Sequence, residues 1–137
     1  MSETTQQTAS VSARSPITAV LAATAAAVAI WIVATMAGAE LTVSFGAGQP
    51  IQKVTVINVV VAALVGSLAG WGLLALFRRF TTNARAIWTV IAIVFALFSL
   101  GGPLSAIAST GTKVALVAMH LAVATVVIVG LRRTRGR

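Results

Sequence analysis

From Val54 to Arg79 the chain reads VTVINVVVAALVGSLAGWGLLALFRR, an apolar run whose interior holds three small polar side chains, Thr55, Asn58 and Ser67, and which closes on two arginines. A helix needs roughly 20 apolar residues, at a rise of about 1.5 Å each, to cross about 30 Å of hydrocarbon. Backbone amides in lipid must be satisfied within the segment that carries them. The stretch from Val54 to Phe77 is therefore predicted to be a transmembrane helix.

Three further stretches pass the same test: Ile17 to Ala39, Ile87 to Ile107, and Val114 to Leu131. The connections between them are short, which makes successive helices antiparallel neighbours. The predicted fold class is all-α, an integral membrane bundle of four helices running up-down-up-down. Residues 1–15, rich in Ser, Thr and Gln and without apolar period, are predicted to be a disordered cytoplasmic tail. Residues 16–133 form the membrane domain, and 134–137 a basic tail.

Composition agrees. The chain has 137 residues, 58% of them hydrophobic and only 9% charged, whereas a soluble domain carries about a quarter charged residues. The formal charge of +8 does not indicate nucleic acid, because the basic residues lie at the ends of apolar runs and not on a polar face beside readable motifs. Cysteine is absent and histidine occurs once, so thiolate chemistry, disulfides and a multi-histidine metal site within one subunit are excluded, and no cofactor is expected.

Orientation follows from the flanks. Arg14, Arg78, Arg79, Arg85, Arg132, Arg133, Arg135 and Arg137 all fall on one side, and the other side has only Lys53 and Lys113, with Glu40 as its acid. Such a bias over short loops places both termini in the cytoplasm. The arginines at the helix ends are also expected to touch anionic membrane lipids. A competing reading makes the first helix a cleaved secretory signal ending at Ala37-Gly38-Ala39, but the run before it is longer than a signal core. The loop from Glu40 to Lys53 contains turn signals at Gly46-Ala47-Gly48 and Gln49-Pro50. Leu41, Val43 and Phe45 alternate with other residues there, which fits either one short strand or a lip in the membrane interface.

Several residues inside the spans are candidates for function. Gly66 and Gly70 form a GxxxG pattern that lets a second helix approach; stepping back by fours from Gly66 meets Ala62 and Asn58, so that row is expected to face protein. It serves either a dimer seam or packing within the chain. Gly101-Gly102-Pro103 should kink the third helix, since Pro103 leaves the Ser99 carbonyl without its amide. Trp88, Ala92, Ala96, Ser99, Pro103 and Ala106 fall on one face of that helix. His120 is the one ionisable residue well inside a span, which makes it a functional candidate by default. Its simpler reading is a neutral imidazole bonded to Asn58, Ser99 or a freed carbonyl at similar depth. The small row Ala115, Ala118, Ala122 and Thr125 lies nearly opposite His120. No Asp or Glu lies within a span, so proton-coupled export and aspartyl proteolysis lack their carboxylates, and no serine is paired with His120 by a recognisable motif. No catalytic residues are assigned.

Gly70-Trp71-Gly72-Leu73-Leu74-Ala75-Leu76, Arg85, Trp88, Ser99-Leu100 before Gly102-Pro103-Leu104, Met119-His120-Leu121 and Gly130-Leu131-Arg132-Arg133 together resemble a family of small four-helix actinobacterial membrane proteins catalogued as a domain of unknown function. The resemblance implies a bacterial membrane protein and assigns no activity. The residues favour a non-enzymatic interaction or accessory bundle, acting as a homo-oligomer or with another membrane protein. The alternative is a small permease or channel for a neutral or anionic solute, using Asn58, Ser99 and His120 as an outer-half polar site.

Overall fold

The computed structural model describes residues 15–134; the tail expected over residues 1–15 lies, but for Ser15, outside the described residues, as do residues 135–137. Four helices long and apolar enough to cross a membrane make up the fold. They are α1 (Pro16–Met36), α2 (Val56–Phe80), α3 (Ala84–Ser99) with its short continuation α4 (Gly101–Ser105), and α5 (Thr110–Arg133). Two strands of two residues each, β1 (Thr42–Val43) and β2 (Gln52–Lys53), lie in the first loop. α1 packs on α2 and α5, α3 also packs on α2 and α5, and α2 touches α5.

Three of the helices, α1, α2 and α5, start on a capping side chain, and α1 stops on a glycine. Ser15, Thr55 and Ser109 are N-caps whose hydroxyls accept from the amides of Thr18, Asn58 and Thr112, satisfying donors that the helix cannot. The Thr55 cap starts α2 at Val56, slightly later than the apolar run suggests. α1 ends at Met36 because Gly38, with φ of 84°, closes a Schellman motif in which the Ala39 amide bonds the Ala34 carbonyl at 3.0 Å and the Gly38 amide bonds Thr35 at 3.1 Å. The small residues with the look of a cleavage site thus form a helix stop.

The third span breaks at Leu100, just before the expected glycines. Pro103 has no amide to give Ser99. The Ser99 hydroxyl bonds the Ala96 carbonyl at 2.7 Å, while the Leu100 amide takes the nearer Leu97 carbonyl at 3.2 Å. Backbone at Leu100 remains helical (φ −67°, ψ −20°), so the span continues past the break into α4. Trp88, Pro103 and Ala106 are buried, and Ala92, Ala96 and Ser99 half-buried, so the face read from the sequence is the one turned inward.

The first loop is a lid over the non-arginine end. Thr42 pairs with Lys53 and Val43 with Gln52, and Ser44 forms a two-bond bridge with Ile107 in the α4–α5 loop, at 3.0 and 2.8 Å. Leu41, in the left-handed region at φ 48°, plugs its side chain into the bundle and is buried, whereas Phe45 is exposed. The Trp31 indole donates to the Val54 carbonyl at 3.0 Å and ties α1 to the return of the lid.

Two core clusters divide the interior. Near the arginines, Ala19, Ala23, Leu74, Trp88, Val127 and Leu131 pack together. Beneath the lid, Ala27, Leu41, Val59, Ala63, Ala115 and Met119 do so.

Candidate functional site

The predicted polar trio is not assembled into one site. Asn58 is exposed in the first turn of α2, and its side-chain oxygen accepts from the Thr55 hydroxyl at 2.6 Å. Ser99 bonds its own helix, as described above. His120 is half-buried and bonds its own helix too, with Nδ1 2.8 Å from the Leu116 carbonyl. A carbonyl only accepts, so Nδ1 carries a proton, and Nε2 has no hydrogen-bond partner among the described residues. Among the described residues no hydrogen bond joins any two of the three, and the partners expected for His120 on other helices are not the ones it uses. Both faces of α5 carry contacts, because α1, α2, α3 and α4 all pack against it. This is why half-buried His120 and the buried or half-buried Ala115, Ala118 and Ala122 coexist on nearly opposite sides.

The GxxxG pair divides. A side chain on Gly70 would lie 3.5 Å from Val127 and 3.8 Å from Trp88, and the Gly70 carbonyl accepts from the Trp88 indole at 2.8 Å. A side chain on Gly66 would meet open space. The inward row of α2 is Val59, Ala63, Ser67 and Leu74; Asn58, Ala62 and Gly66, one residue behind it, are exposed. The expected protein-facing row therefore points away from the chain's own core over these three residues. Ser67 is fully buried, and its hydroxyl is the buried side-chain polar atom that has no partner among the described residues.

Two features at the arginine end stand apart from the candidates read from the sequence. Arg78 donates to the Thr134 carbonyl and hydroxyl at 3.2 and 3.3 Å, and Arg85 donates to the same carbonyl at 3.1 Å. Thr134 is buried and is the C-cap of α5, so two cations meet the negative end of that helix. Topology alone accounts for these arginines in a sequence, which hides their second role. The other feature is Gly130, where an added side-chain carbon would lie 2.6 Å from that of Ala19. The close approach of α1 and α5 depends on it. A lone glycine with valine four residues earlier carries no packing motif.

Two shallow grooves run along the α1–α5 seam. One, of about 320 Å³, opens at the arginine end between Ser15, Ala22, Val129 and Arg133. The other, about 580 Å³, opens at the lid end between Val33, Ala37, Glu40 and Val114. Among the described residues no cluster of His, Cys, Asp or Glu is arranged to hold a metal ion. A model of a family of unknown function, DUF6069, matches residues 7–137. No curated protein and no solved structure matches the chain.

Proposed function

The chain thus belongs to a family whose shared activity is unassigned, and from that premise we propose that it is a non-enzymatic membrane bundle serving as an interaction partner or accessory subunit. The proposal places it in a bacterial plasma membrane with both termini cytoplasmic, supported by the arginine bias, and its Ala, Val and Arg usage fits an actinobacterial source. The observation that carries the reading is the outward row Asn58, Ala62 and Gly66. In lipid, helices associate through close packing at small residues and through polar side chains, since hydrocarbon offers no hydrophobic drive between them. This row supplies both and is not consumed by the chain's own packing. The absence of a catalytic role is supported by the local bonding of Asn58, Ser99 and His120.

The chain lacks cysteine, so single-cysteine cross-linking in the native membrane tests the proposal directly. Gly66→Cys and Ala62→Cys are expected to give a homodimer adduct or an adduct with one stoichiometric membrane partner, while inward Ala63→Cys gives none. Equal capture by Phe95→Cys, on the exposed face of α3, would reduce the row to ordinary lipid-facing surface. The permease alternative rests on the free Nε2 of His120, and solute flux into liposomes with and without His120→Ala decides it.

A further inference from the structure

The groove at the arginine end has a charge that the fold leaves unanswered. Arg78 and Arg85 are occupied on Thr134 and already offset the negative end of α5. Arg133, at the rim of the groove, is exposed and has no hydrogen-bond partner among the described residues. Beside it Ser15 caps the N-terminus of α1, the positive end of that helix, and among the described residues no acidic side chain lines the groove. The wall below is mainly apolar, made of Ala22, Val126 and Val129 with the hydroxyl-bearing Thr18 and Thr125 among them, and the close Ala19–Gly130 contact is its floor. A cation above a groove of mainly small, apolar side chains matches an amphiphile with an anionic head and a hydrocarbon tail, and these four spans place the groove where lipid is the solvent.

We propose that this groove is a binding site for one anionic phospholipid of the arginine-side leaflet, its phosphate on Arg133 and part of one acyl chain lying between Ala22 and Val129. The site goes beyond the partner-binding reading and needs only that the chain sits in a bilayer. It is therefore tested on the purified chain without any partner.

The test is native mass spectrometry of the protein re-lipidated with equal dioleoyl phosphatidylglycerol and dioleoyl phosphatidylcholine. One phosphatidylglycerol per chain is expected to be retained in preference. Arg133→Gln should reduce that preference by about fivefold, the effect of one basic residue near a membrane surface, and Arg132→Gln should leave it unchanged. Ala22→Trp fills the slot with the charge intact and should abolish retention; Val129→Trp does the same from the other wall if Ala22→Trp fails to fold. Equal retention of both lipids, equal losses in Arg132→Gln and Arg133→Gln, or full retention in a folded tryptophan variant would overturn the site. Soluble glycerol phosphate competing as well as the whole lipid would overturn the acyl-chain part.

Discussion

The two core clusters are built on different principles. Near the arginines the interior is filled by large, fully buried side chains, Trp88, Leu74 and Leu131. The indole of Trp88 is fixed by its bond to the Gly70 carbonyl, and α1 is drawn in by the Ala19–Gly130 contact. Beneath the lid three alanines and one valine meet an unbranched methionine, and the remaining space is closed by Leu41, which comes from a loop. Interlocking side chains of fixed shape tolerate little change in volume, whereas methionine adapts to irregular gaps. The first half therefore sets the geometry of the bundle, and the second half is held by the backbone bonds of the lid.

The largest expected effect tests the interlocked half. Trp88→Ala removes the ring and its hydrogen bond and should cost about 3–5 kcal/mol, as large aromatic truncations do, measured by unfolding in detergent. Met119→Leu, in the adaptable half, should cost less than about 1.5 kcal/mol; a loss as large as that of Trp88→Ala would break the comparison. Gly130→Val forces α1 and α5 apart and should cost about 1–3 kcal/mol, with increased cross-linking distance between cysteines placed near Ser15 and Arg133 as its geometric signature. Gly38→Ala puts a side chain where φ is positive and should cost about 1 kcal/mol, loosening the lid without disturbing the arginine end. Hydrogen exchange confined to residues 36–54 would sharpen the division. At the boundary of the two halves, Ser67→Ala should be neutral or stabilising by up to about 1 kcal/mol, because it removes a buried hydroxyl that has no partner. His120→Leu and His120→Gln should differ by less than about 0.5 kcal/mol, since the Leu116 carbonyl lies within the same helix and is not orphaned by either change.

The spans were legible because length and hydropathy are enough to define a helix in lipid, and the inward face of the third span was legible because Trp88 and Pro103 share it with small residues. The face of α2 was not. In water the polar side of a helix declares itself, but in a bilayer both sides are apolar, and the rows Asn58–Ala62–Gly66 and Val59–Ala63–Ser67 are equally plausible seams from residue type alone. The first loop suggested a strand through Leu41 and Val43, yet its pairing with Gln52 and Lys53 and its bridge to Ile107 are non-local and leave no periodic mark. The Arg78 and Arg85 bonds to Thr134 were hidden for a similar reason, as they link residues far apart in sequence at a helix end where arginine is expected anyway.

The bridge between Ser44 and Ile107 bears on how the protein is made. Ser44 is synthesised before α2, and its backbone partner Ile107 follows only after the third span. Until then the edge of the first hairpin carries open amide and carbonyl groups at the membrane surface, where water can serve them. Pairing needs both halves of the chain, so a nascent chain stopped before Ile107 is expected to keep an unsealed lid, closed only when the last helix is reached.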